Sequence, residues 1–238
     1  MKDILHVFSD FKIFLGGFMY FGLIVPAYGY AFFAPSIIST YGYSQIGTQL
    51  HSVPPWAASF VFALIIAFFS DFFKHRFLFT LLPIGMAIAG FAILLTTHTN
   101  THLEYGALFL VTMGVYSALP VTVCWFNMNL GGHHRRAVGT AWQIGFGNIG
   151  GIIATYSFLA KDKPEYRPGY GICIGFSCLS AVACCAYAVA VTWQNRWRDR
   201  QVRDLGVTEF ESVEMGDRSP EVFALIGCAL GGGRGGPC

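Results

Sequence analysis

Asn127 to Gly151 reads NMNLGGHHRRAVGTAWQIGFGNIGG, and its order is a polar hinge, a doubled arginine, then a hydrophobic helix crowded with small residues. A helix that crosses lipid gains nothing from apolar burial when it meets a neighbour, so it relies on close backbone approach and interhelical hydrogen bonds. Gly139, Ala141, Gly145, Gly147, Gly150 and Gly151 permit the approach, and Gln143 and Asn148 offer the bonds. Gly147 and Gly151 are four residues apart, which places both on one helix face as a GxxxG surface. The stretch therefore predicts a transmembrane helix that packs tightly on its neighbours.

A dinucleotide-binding pattern, Gly145-x-Gly147-x-x-Gly150, is embedded in the same residues. That motif needs a preceding strand, an opening helix and an acidic residue about 20 positions on. Here the glycines lie in mid-span with apolar residues on both sides and no acid at that distance. They read as packing residues.

Working outward, composition supports a membrane chain. Of 238 residues only 12% are charged, and mean hydropathy is +0.53; ordinary soluble domains carry about 25% charge. The 15 Lys and Arg and the 13 Asp and Glu lie outside or at the edges of six apolar runs. A charge at mid-bilayer costs several kcal/mol, so such exclusion is what a bilayer enforces. Seven cysteines form no disulfide framework, because Cys124, Cys173, Cys178, Cys184 and Cys185 fall inside apolar runs, where cysteine behaves as a small hydrophobe. Residues 1–13 lack the apolar core of a cleavable leader. Ile4, Leu5, Phe8 and Phe11 fall at helical spacing there and predict an amphipathic segment on the cytoplasmic membrane surface.

Six spans are expected within a transmembrane domain at 14–193, at about 14–38, 53–70, 77–96, 103–126, 137–159 and 172–193, followed by a disordered cytoplasmic tail at 194–238. Pro54-Pro55-Trp56 is read as the opening of the second span. An even number of spans places both ends on one side. Lys2, Lys12, Lys74, Arg76, Arg135, Arg136, Arg196, Arg198, Arg200 and Arg203 collect on that side, against Lys161, Lys163 and Arg167 on the other. Ten against three assigns both termini to the cytoplasm by the positive-inside rule.

Several stretches carry a family likeness. They are Gly42-Tyr43-Ser44 followed by Leu50-His51-Ser52-Val53-Pro54-Pro55, then Ser70-Asp71 with Lys74 and Arg76. The most specific runs from Pro120, Trp125, Asn129, Gly132, His133 and Arg135-Arg136-Ala137 to Gln143-Ile144, Gly147-Asn148 and Gly150-Gly151. Lys161-Asp162, Pro164, Tyr166 and Pro168-Gly169 continue it. On these the chain resembles the C-terminal six-helix half of a fungal major facilitator superfamily transporter, in the allantoate permease-like (anion:cation symporter) family. The likeness covers about residues 3 to 221. It departs at Met128-Asn129, where the family has paired asparagines, and at Phe72, where it has arginine. The six preceding helices of such transporters are not in this sequence, and the ending VFALIGCALGGGRGGPC after Glu221 is unlike the family. An incomplete gene model is the expectation.

The resemblance implies an all-α membrane protein, half of a twelve-helix bundle in a fungal plasma membrane. It implies a secondary transporter, proton-coupled, that moves a small organic anion or vitamin-like solute by alternating access. It places the first and fourth helices on the central cavity, which makes Tyr28, Tyr116, Trp125 and Asn127 candidates for the substrate path. Asp71, Lys74 and Arg76 become a cytoplasmic gating turn, with Arg135 and Arg136 as gating residues beyond their anchoring role. Gly145, Gly147, Gly150, Gly151, Gln143 and Asn148 are assigned to helix packing. His98 and His102 with Glu104 are better read as an exposed loop than a metal site. No cofactor, metal or nucleic acid is expected; the partners are the bilayer, the solute and an N-terminal six-helix half. The spans hold no nucleophile–base pair or paired carboxylates, which argues against an enzyme. The competing expectation is a non-transporting remnant or regulatory fragment.

Overall fold

The computed structural model describes Phe8 and residues 11–39, 44–97, 100–131, 133–158 and 166–205, with side chains as far as Trp197. Every regular element among these residues is a helix: α1 Phe11–Ser39, α2 Gln45–Phe73, α3 Arg76–Thr96, α4 Thr101–Met128, α5 His133–Asn148, α6 Gly150–Ser157 and α7 Arg167–Leu205. Five of them, α1 to α4 and α7 as far as Trp197, are long and apolar enough to cross a membrane.

The predicted span at 137–159 is not one uninterrupted helix. It is α5 and α6, meeting at Ile149, and neither alone has the length to cross. The joint tightens to i→i−3 hydrogen bonds, Ile149 N–H to Phe146 C=O at 3.2 Å and Ile152 N–H to Ile149 C=O at 3.1 Å. Asn148 also ties its amide to Ile144 C=O at 2.9 Å. Gly145, Gly147, Gly150 and Gly151 around the joint have little helix propensity to resist this tightening. Ile149 keeps right-handed helical angles, φ −58° and ψ −29°. Gly139, Gln143, Gly147, Gly150, Ala154 and Ser157 form a buried stripe at three- and four-residue spacing that runs through the joint without changing phase. Both pieces lie along α1.

The second span also differs at its start. Helix α2 begins at Gln45, capped by Ser44, whose Oγ accepts the Gly47 N–H at 3.1 Å. Pro54 and Pro55 therefore sit inside the helix. Proline at position 55 removes the bond to the carbonyl of His51, which lipid would not satisfy. The Tyr105 hydroxyl of α4 donates to that carbonyl at 2.9 Å.

At the amino end, Phe11 to Ile13 belong to α1, and Phe8 packs its ring edge-on against Trp142 at 5.2 Å. Phe8 therefore rests on protein; residues 1–7, 9 and 10 of the expected surface segment lie outside the described residues. At the other end α7 continues to Leu205, so residues 194–205 are helical and the expected disorder there is corrected. Residues 206–238 lie outside the described residues, as do His98, Lys161, Asp162 and Lys163.

Helix α1 is the axle, touching α7, α5, α6 and α4, while α3 packs on α4 and α7 and α2 leans mainly on α4. Two apolar cores fill the two ends. One, around Ile38, Phe91, Leu108, Phe158 and Tyr170, lies where α1 ends and α7 begins. The other, around Ile13, Trp125, Phe126, Leu130 and Tyr187, lies where α1 begins and α4 ends. The backbone crossings between helices are close. A Cβ on Gly22 of α1 would lie 2.6 Å from Phe176 O of α7, and one on Gly114 of α4 would lie 2.6 Å from Pro83 O of α3. Interhelical hydrogen bonds add to this: Ser180 Oγ to Met19 O at 2.8 Å, Gln143 Nε2 to Gly16 O at 3.2 Å and Ser59 Oγ to Thr112 O at 3.2 Å.

Candidate functional site

The end of α4 and the first turns of α5 enclose an open cleft of about 830 Å³, lined by Asn127, His133, Arg136, Ala137, Thr140, Ala141, Ile144 and Gly145. Helix α4 brings Asn127 here because its last turn closes on itself. The Asn127 amide donates to Val123 C=O at 2.9 Å, and the buried Asn129 amide to Trp125 C=O at 2.7 Å. The turn is fastened to α5 from the other side by Arg136, which donates to Leu130 C=O at 3.4 Å, and by Thr140, whose hydroxyl is bonded to Asn127 Oδ1. Thr140 also bonds to Arg136 C=O at 2.7 Å. The cleft therefore offers an amide from α4 and a guanidinium and a hydroxyl from α5, beside the apolar Ala137, Ala141 and Ile144 of the same helix. Such a set can hold a small solute with a carboxylate at one end and an apolar body.

Further along the same exposed face, the Tyr28 hydroxyl of α1 donates to Asn148 Oδ1 at 3.1 Å, and the Tyr28 ring stacks on Phe32 at 5.7 Å. Asn148 is exposed although it lies in the middle of the α5–α6 length. Tyr116 does something different: its hydroxyl donates to Ala27 C=O at 2.8 Å and its ring rests on Trp56 at 4.6 Å. It joins α4, α1 and α2. Trp125 is corrected from a substrate-path candidate to a core residue. It is 1% exposed and packs edge-on against Tyr187 at 5.0 Å and beside Phe77 at 6.0 Å. A solute finds no surface of Trp125 to touch.

The turn between α2 and α3 holds Asp71, Lys74 and Arg76. Arg76 is ion-paired with Asp71, so the two close the turn on itself. Lys74 adopts the left-handed conformation at φ 56° as the C-cap of α2, which lets the chain reverse into α3. The side chain of Asp71 is 67% exposed, where an ion pair contributes little stability. Arg135 lies on the first turn of α5, beside the cleft.

The glycines divide into two sets. A Cβ on Gly147 would lie 2.2 Å from the ring of Tyr20, one on Gly150 would lie 2.9 Å from Val25, and one on Gly151 would lie 3.1 Å from the ring of Tyr28. Gly145 has nothing within 4 Å among the described residues and lines the cleft. Thr140 and Gly114, both central to the geometry, look like ordinary span residues in the sequence. A hydroxyl four residues after an arginine at the head of a span is the one cue to Thr140. At the opposite end, Tyr166 reaches Ser36 Oγ at 3.1 Å from a left-handed φ of 44°, pinning the start of α7 to α1.

Comparison with curated proteins connects this architecture to transport. An uncharacterized transporter of Schizosaccharomyces pombe is 31% identical over 167 residues, 69% of this chain and 33% of its own length. A major facilitator-type transporter of Emericella nidulans is 29% identical over 230 residues, 93% of this chain and 46% of its own. The high-affinity nicotinic acid transporter of Saccharomyces cerevisiae is 29% identical over 172 residues, 72% of this chain and 32% of its own. The chain thus spans between about a third and a half of the length of these relatives. No family model matches it, and no solved structure does. It is a multi-pass membrane protein similar, over most of its length, to fungal transporters of the major facilitator type.

Proposed function

We propose that the chain is one six-span half of a secondary transporter for a small organic anion, working by alternating access against a second six-span bundle. In this reading the half is the C-terminal one of an anion:cation symporter in the plasma membrane, with both termini cytoplasmic. The observation that carries it is Asn148 with Tyr28, an exposed amide and a half-buried phenol at mid-span. The two are bonded to each other and to Ile144 C=O, but their remaining donor and acceptor sites would find no partner in lipid, so this face fits a water-filled cavity walled by the other bundle. The cleft beside Arg136 lies on the same α5 side and suits a carboxylate. A relative named for nicotinic acid, a small aromatic carboxylate, agrees with that chemistry. Among the described residues every Asp, Glu, Lys, Arg and His lies at or near a span end, so proton coupling would belong to the second bundle.

The fifth span in this reading is α5 and α6 together, 25 residues from His133 to Ser157, or about 37 Å of helix. The unbroken buried stripe supports it. An N-glycosylation acceptor inserted beside Lys163 is expected to be modified, and one inserted after Leu205 to stay unmodified. The reverse pattern would mean that α5–α6 returns without crossing.

The transport reading has its own test. The purified chain reconstituted alone is expected to show no concentrative uptake of nicotinate or related carboxylates. Co-reconstitution with the N-terminal six-span half of a similar transporter is expected to produce it. Robust uptake by the chain alone would replace the two-half arrangement with a homodimer.

A further inference from the structure

Two apolar grooves meet at Trp193 on the outer side of α7. The larger, about 710 Å³, lies between α3 and α7; its walls include Phe77, Leu78, Cys185 and Val189, and His75 and Arg196 stand at one end. The smaller, about 400 Å³, lies between α1 and α7, with Trp197 in its wall and Lys12 at the same end of the bundle. Trp193 lines both and is 75% exposed. Along α7 the larger groove runs from Cys185 to Arg196, about 16 Å of helix. That is close to the roughly 15 Å depth of one leaflet of hydrocarbon.

From this we propose that the surface is a binding site for one anionic phospholipid. Its two acyl chains would lie in the grooves on either side of Trp193, and its phosphate on Arg196 and His75. Four observations choose this occupant. The grooves end on cations at the face where the chain gathers its basic residues, and a basic pocket between helices at the membrane surface is complementary to an anionic head group. The neighbouring Arg76 is already held by Asp71, which leaves the Arg196 guanidinium, with the His75 ring as a hydrogen-bonding group, to define the head-group position. Helix α3 starts here without a side-chain cap on His75, and the positive end of its dipole adds to the attraction. Exposed Trp193 and Trp197 sit where interfacial tryptophans anchor membrane helices. The site stands apart from the cleft at α5 and holds whether or not the cleft carries a solute.

Native mass spectrometry of the full chain, released from micelles with equal phosphatidylserine and phosphatidylcholine, tests this. Phosphatidylserine should be retained preferentially. Arg196→Gln should cut its retention about five-fold without changing phosphatidylcholine. Both Arg196 and His75 are exposed, so Arg196→Gln with His75→Gln should fold normally and lower retention further. Val189→Trp, filling the groove, should lower retention with Arg196 intact. Equal retention of the two lipids, or undiminished phosphatidylserine on Arg196→Gln, overturns the proposal. So does a Cys185–Cys185 cross-link that phosphatidylserine fails to suppress, which would give the groove to a second copy.

Discussion

Gly114→Leu is expected to leave almost no folded chain in the membrane. The Cβ alone would stand 2.6 Å from both Pro83 O and Ala87 N and 2.9 Å from Ala87 Cα. All three are backbone atoms of α3, and no rotamer change can move them. The crossing is tight from both sides, since a Cβ on Gly90 of α3 would lie 2.9 Å from Val111 N of α4. Accommodating leucine means separating α3 from α4, and packing is what joins helices in lipid. Overpacking where side chains can yield costs about 1–3 kcal/mol. Backbone against backbone should exceed that, a large part of a total stability of about 5–15 kcal/mol. The fraction of tagged chain that elutes as a monodisperse peak in mild detergent measures it. Gly145→Leu, with open space around it, should elute like the unaltered chain. A Gly114→Leu variant that folds as well as Gly145→Leu would mean that α3 and α4 do not cross at these glycines.

The contrast shows what the sequence could and could not reveal. Charge exclusion from apolar runs is a bilayer constraint written residue by residue, so α1, α3 and α4 lie within three residues of their expected bounds. The start of α2 was hidden because Pro54-Pro55 looks like a helix opening. What keeps the helix going past it is a hydroxyl from Tyr105, 54 residues away in sequence. Glycine content marks a tightly packed helix, but it does not say which neighbour each glycine meets. Gly147 meets a ring of α1 and Gly145 meets nothing, yet they are two residues apart. The closest backbone crossings use Gly22 and Gly114, in spans less rich in glycine. Trp125 and Tyr116 are alike in sequence, aromatic residues on a helix that the family likeness turns toward a cavity. Only tertiary packing shows that one is sealed in the core and the other joins three helices.

For the solute path, the largest effect is expected from Arg136→Gln, measured in a protein that contains both six-span halves. Arg136 lines the cleft with its guanidinium donating to Leu130 C=O at 3.4 Å, a long and weak bond that a carboxylate can displace. A hydrogen bond between two charged groups contributes about 1.5–3 kcal/mol, so losing it should raise the apparent KM roughly 10- to 100-fold. Arg136→Lys keeps the charge and should recover part of the loss. Asn127→Ala removes the acceptor that positions Thr140 and should raise KM by a smaller factor, about 5-fold. Tyr116→Phe is the contrasting case. Its hydroxyl serves Ala27 C=O, so it should lower the yield of folded protein and leave the KM of what remains unchanged. Surface expression must be measured beside uptake, because a variant that fails to reach the membrane would imitate a lost site. If Arg136→Gln and Asn127→Ala reach the surface and leave uptake kinetics untouched across a series of carboxylates, the cleft at the α4–α5 turn is not on the path of the solute.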